Sequence, residues 1–195
     1  MNWNDLNLNT FTRLALIKDG TMLDLITAIT GEDAGNLPLN ELEGWTNKLA
    51  FLDKPYKPSN PKKEYILNGI TYIPVLNTKD ILVNQFIDFQ EFIKEPDTHI
   101  ANLAAIFFIR KGCKYGDRDP IEEAKFLGEH LSITDYKDVF NFFLKAWRQY
   151  TNNTQASLMS NLRKTLKKTK DKTTRIKILR TMINLKQIHL LESLI

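Results

Sequence analysis

Helix-breaking residues are scarce in this chain and unevenly placed. It holds only 8 Gly and 7 Pro among 195 residues, and Pro55, Pro58 and Pro61 fall in one short stretch. Proline fixes φ, removes a donor and pushes the preceding residue toward extended geometry. Residues 54–63 therefore read as a linker, and the long stretches on either side are free to be helical. Hydrophobic residues at 43% and charged ones at 26% are near the globular average, so most of the chain can bury a core. The expected class is mainly α: a compact helical domain with one small β-hairpin, followed by a basic C-terminal helical extension.

The apolar spacing places the elements. Phe11, Leu14, Ala15, Leu16 and Ile17 make a short helical stripe behind Thr10 as N-cap, and Asp19-Gly20 ends it. Met22, Leu23, Leu25, Ile26 and Ile29 form a second helix closed by Thr30-Gly31. Pro38 opens a third, in which Leu42, Trp45, Leu49 and Leu52 recur at helical spacing. Residues 64–75 carry Asn68-Gly69 between apolar runs, the strongest short hairpin signal, because a type I′ turn needs two residues that tolerate positive φ. Tyr65, Leu67, Ile70 and Tyr72 should pair across it, and the hairpin should lie against helices, since a lone one is marginal in water. Helical spacing returns with Ile81, Leu82, Gln85, Phe86, Phe89 and Ile93. Residues 100–109 are apolar nearly all round, as a central buried helix would be. A polar loop at 111–120 precedes helices over 120–129 and 134–150. The expected core includes Leu49, Phe86, Leu103, Phe107, Phe140 and Phe143.

Charge divides the chain. Residues 151–195 hold 10 Lys and Arg against Asp171 and Glu192, a local net of +8, whereas residues 1–150 hold 17 against 21 acids, a net of −4. The composition shift at Asn152-Asn153 marks an expected boundary, with a helical domain over 1–150 and a basic amphipathic extension over 151–195. Two helices are expected there, with a break near residues 171–174. Arg163, Lys164, Lys167, Lys168, Lys170, Lys172, Arg175 and Lys177 are the candidate contacts to a partner or to phosphate. Ile176, Leu179, Ile183, Leu190 and Leu194 form the candidate docking stripe. Such a field acts on partners more than on folding. A solvated helical face would also carry these charges, and phosphate contact fits them through counterion release. The segment lacks aromatic interleaving for stacking on single strands, and no helix-turn-helix or zinc pattern precedes it. Docking to a protein, with the cationic rim meeting an acidic surface, accounts for the apolar stripe as well.

Catalytic and metal constellations are weak. His99, His130 and His189 have no ligand partner at i, i+4 and no HExxH occurs, so a zinc site lacks its spacing. Asp117 and Asp119 could hold the divalent metal of a small nuclease, but Pro120 makes Asp119 the cap of a helix. The single cysteine, Cys113, excludes an internal disulfide; Lys111 and Lys114 beside it would make a thiol more reactive, with no base partner identifiable in sequence. No phosphate-binding glycine loop or nucleophile elbow is present. The expectation is a non-enzymatic chain with no catalytic residue, no metal and no cofactor. The residues from Met1 to Asp5 lack a basic and apolar signal, and no apolar run approaches ~18 residues. The chain is thus expected to be soluble, without membrane partners and cytoplasmic in origin.

The order of elements resembles a family. It runs through Leu37-Pro38-Leu39 with Glu41-Leu42, Leu49-Ala50-Phe51-Leu52, the hairpin from Tyr65 to Tyr72, and Asn84-Gln85-Phe86-Ile87-Asp88. An apolar helix from Ala101, Tyr115 in its loop, the acid-starting helix at Glu122 and Asn141-Phe142-Phe143 follow. This resembles the tail-assembly-chaperone-type and related neck, portal-adjacent or virion proteins of tailed bacteriophages, with Asn84 where those proteins often have a small residue. The resemblance covers roughly residues 3–150 and leaves the basic extension outside. It implies a non-enzymatic protein that binds other phage structural or assembly components and works in an oligomeric assembly. Its place would be the host cytoplasm during assembly or the virion. A chaperone absent from the finished particle and a DNA-contacting phage protein are the alternatives.

Overall fold

In a computed structural model, residues 1–168 together with 176, 177 and 179 are described; of Tyr150–Ala156, Lys167 and Lys168 the backbone alone is. The chain forms two compact units, residues 1–144 and 145–195. The first holds α1 (Leu8–Ala15), α2 (Met22–Thr30), α3 (Leu39–Leu49), β1 (Tyr65–Leu67), β2 (Ile70–Pro74), α4 (Val83–Phe92), α5 (Ile100–Phe107), β3 (Phe108–Arg110) and α6 (Pro120–His130). The last helix, α7 (Ile133–Lys168), begins in the first unit and continues in the second. The mainly helical class is as expected.

Local chemistry sets several boundaries where expected. Gly31, at φ 79°, closes α2 in the left-handed region, and Thr21 opens that helix through a capping box with Asp24. Asn68 at φ 46° and Gly69 at φ 79° form the two-residue turn between β1 and β2, pairing Leu67 with Ile70 and Tyr65 with Tyr72. Asp119 accepts from the Ile121 N–H and caps α6, with Pro120 in its first turn.

Other expectations are corrected. Asn7, not Thr10, caps α1: its side chain accepts from the Thr10 N–H, and the helix starts at Leu8. The hairpin is part of a three-stranded antiparallel sheet in the order β1-β2-β3, with Tyr72 opposite Arg110 and Pro74 opposite Phe108. The apolar run from Ile100 is therefore helix only to Phe107. Its last residues extend and satisfy the free edge of β2, which would otherwise leave backbone groups unpaired. The helix expected to end at Tyr150 runs on through Asn152-Asn153 to Lys168. No Gly or Pro follows Gly128, and asparagine costs a helix only a few tenths of a kcal/mol, ~0.7 at most.

The core centres on α5. Leu103, Ile106 and Phe107 are fully buried, as are Leu127 of α6 and Val139 and Phe143 of α7. Phe107 meets Phe143 at 4.6 Å between centroids, Phe89 at 5.7 Å and Phe140 at 5.9 Å, in tilted or edge geometries that aromatic rings prefer. Of the expected core, Leu103, Phe107 and Phe143 belong to this centre, while Phe86 and Phe140 are only half-buried. Phe89 takes the place expected of Phe86, because α4 turns Gln85 and Phe89 inward together. Leu49 is buried in a separate cluster with Ile26 and Ala34, against which Met22, Trp45 and Leu52 pack.

Candidate functional site

The extension of α7 carries the first candidate surface. Leu158, Met159, Leu162 and Leu166 fall within one arc of about 100° at 3.6 residues per turn. Leu158 is 44% exposed at the margin of that arc, and the other three are half-buried. Arg163, exposed, borders the arc beside Met159, and Lys164, also exposed, lies on the opposite side. Lys167 and Lys168 occupy the last turn. Ile176, Lys177 and Leu179 are helical and exposed, with the two apolar residues three apart on one face. On α7 Arg163 thus flanks the apolar arc and Lys164 lies away from it, while Leu158 at the margin is open to solvent. Lys170, Lys172, Arg175, Ile183, Leu190 and Leu194 lie outside the described residues, as does His189.

A second feature is the cleft between β3 and α6, lined by Phe108, Arg110, Cys113, Tyr115, Arg118 and Glu123. Glu123 is its hub. Its Oε2 accepts from the Tyr72 hydroxyl at 2.9 Å and from Arg110 Nε at 3.0 Å, while Oε1 meets Arg110 Nη2 at 2.8 Å and Arg118 Nε at 3.0 Å. Arg110 also lies 5.7 Å over the Tyr72 ring and 5.4 Å over Phe126. The Tyr72 phenol is pushed up to about 12, first by burial and then by its bond to Glu123. One carboxylate held by two guanidiniums and a phenol clamps the sheet to the helix. Cys113 is half-exposed at the rim.

Several other polar side chains are engaged in bonds within the protein. Asp138, buried on α7, accepts from the Tyr56 hydroxyl, the Ser59 N–H at 2.6 Å and the Ser59 hydroxyl at 2.5 Å, which ties the proline linker down. Burial first, and then Asp138, push the Tyr56 phenol upward. Lys137 projects among the rings of Trp3, Phe11 and Tyr56, with Nζ 5.4, 4.4 and 5.6 Å from their centroids. Burial holds its ammonium below the ordinary lysine value, with Asp97 opposing the shift. His99 leans on Phe92, and His130 stacks on Phe126 at 4.3 Å while its Nδ1 donates to the Phe126 carbonyl at 2.9 Å. Asp117 accepts from the Lys114 N–H and Asp119 serves as a cap. Among the described residues no group of three His, Cys, Asp or Glu is placed to hold a metal ion, and no buried side-chain N or O lacks a partner. No helix among them is long and apolar enough to cross a membrane.

The Glu123 and Asp138 clusters are absent from the sequence reading. Their members lie 51 to 82 residues apart, apart from the arginines close to Glu123, and no local spacing announces them. No family model, curated protein or solved structure matches the chain.

Proposed function

We propose that this chain is a non-enzymatic docking protein of a tailed-phage particle or of its assembly. In this reading the basic extension engages an acidic, apolar-faced protein surface. The phage setting rests on the order of motifs in residues 3–150. The docking role rests chiefly on one observation: Leu158, Ile176 and Leu179 stand 44%, 44% and 45% exposed on a segment that also exposes Arg163 and Lys164. Exposed apolar residues interleaved with charge are what a partner-binding helix presents. In the body, the carboxylates of Glu123 and Asp138 are consumed by internal bonds, which favours binding over chemistry.

Two variants test the reading. One replaces Lys164, Lys167, Lys168 and Lys170 by Gln, and the other replaces Leu179 and Ile183 by Ser. Protein docking predicts that the apolar variant loses association with purified particles or assembly intermediates, measured by co-sedimentation and mass spectrometry. Loss in the charge variant alone, with a steep salt dependence, would transfer the role to nucleic acid or a purely acidic surface.

A further inference from the structure

We propose that the acceptor for the basic extension is a second copy of this chain, at the outer face of α4, giving a head-to-tail assembly; the proposal rests on the docking role of that extension. The outer face of α4 is apolar and open. Val83 and Ile87, one turn apart, are 78% and 60% exposed, and Leu82 beside them is 43% exposed. The next position along this ridge is Glu91, whose side chain is 69% exposed and pairs with Lys94 at 2.5 Å. Asp80 is exposed just before the helix, and Glu95 just after it. Residues 79–97 hold five carboxylates against two lysines, a net of −3.

This ridge is the complement of the extension. One is an apolar helix face within an acidic stretch; the other is a segment of net +8 along which Leu158, Ile176 and Leu179, and also Arg163 and Lys164, are each exposed. Opposite rims steer and orient such an encounter, and the apolar residues hold it. The part of α7 beyond Leu144 spans about 36 Å at 1.5 Å per residue, ample to lie along the ~15 Å of α4. Because every copy carries both surfaces, the contact is heterologous, and successive copies build a ring or a filament.

That geometry predicts an outcome other arrangements do not share. Let one variant of the full chain carry Ile87→Lys and Glu91→Lys, and another Arg163→Glu, Lys164→Glu and Leu179→Glu. All of these positions are exposed, and circular dichroism of each variant checks that the fold is kept. By light scattering and sedimentation, wild type should form concentration-dependent oligomers. Each variant alone should associate more than about tenfold more weakly, since each places like charges in the contact. Mixed in equal amounts, the two should associate again, because the intact acceptor of one meets the intact extension of the other and the two altered surfaces carry opposite charges; a mixture no more associated than either variant alone would overturn the proposal. Wild type that stays monomeric at every concentration would overturn the proposal. So would an α4 variant that assembles as well as wild type, which would place the extension on itself or elsewhere. Failure here leaves a separate readout for the docking role: a monomeric chain that still co-sediments with particles through Leu179 and Ile183 docks onto a different protein.

Discussion

Tyr65 and Tyr72 face each other across the hairpin, both buried, and each phenol is pushed up to about 12 from an ordinary 10.0, first by loss of water. The sign of the consequence follows from linkage. Their ionisation is easier in the unfolded chain, so the stability they confer is whole below pH 10 and is lost as pH rises toward 12. Denaturant midpoints measured at intervals up to pH 12 should fall across that window. Tyr72→Phe should flatten the fall, and a Tyr72→Phe protein with the same slope as wild type would refute the assignment. Lys137 illustrates another side of burial at this scale. Its ammonium is kept among Trp3, Phe11 and Tyr56, so one cation holds the N-terminal segment, α1 and the linker against α7.

Among the elements, the join between α4 and α5 depends on one side chain. Helices leave their first N–H and last C=O groups without partners. Gln85, only 2% exposed, serves both ends: its Oε1 accepts from the Leu82 N–H at 3.1 Å at the start of α4, and its Nε2 donates to the Ile106 carbonyl at 2.5 Å near the end of α5. Gln85→Leu would leave the Ile106 carbonyl unpaired and remove the partner of the Leu82 N–H, and should cost about 2–4 kcal/mol in chemical denaturation, whereas Gln90→Leu on the exposed side of the same helix should cost almost nothing. A cost below ~0.5 kcal/mol would mean water replaces the amide. This residue also explains where sequence reading succeeds and fails. Gly31, the Asn68-Gly69 turn and Asp119 could be read directly, since each is decided by its own φ or by a partner two residues away. The inward face of α4 could not. Apolar residues at 82, 83, 86, 87 and 89 leave the stripe ambiguous, and the choice went to the face holding a polar residue whose partner is 21 positions away. β3 was hidden for a similar reason, because a short buried run reads alike as helix or strand until a strand edge claims it. The basic extension was visible as charge, while its acceptor could not be, since α4 reads as an ordinary core helix until its outer face is seen.

For the whole molecule, the position of the last buried residue matters most. Phe143 is the final fully buried side chain described in α7, and the compact units divide just after it. A chain cut after Tyr150 should therefore fold with the denaturation midpoint of the full protein while losing particle association. A fall of more than about 1 kcal/mol would mean the extension supports the body as well as its partners. The sheet carries a consequence in time rather than in energy. β1 and β2 are joined by a two-residue turn and can pair within ~1–10 μs, but β3 lies beyond α4 and α5 in the chain. During synthesis at roughly 5–20 residues per second, the segment from β2 to β3 takes on the order of seconds to emerge. For that interval the β2 edge with Tyr72 and Ile73 stands open, the moment at which a nascent chain could pair with a neighbour on the same messenger. Slowing translation while β2 has left the ribosome and β3 is still inside it should accordingly raise the aggregated fraction of this protein more than slowing it once β3 is out.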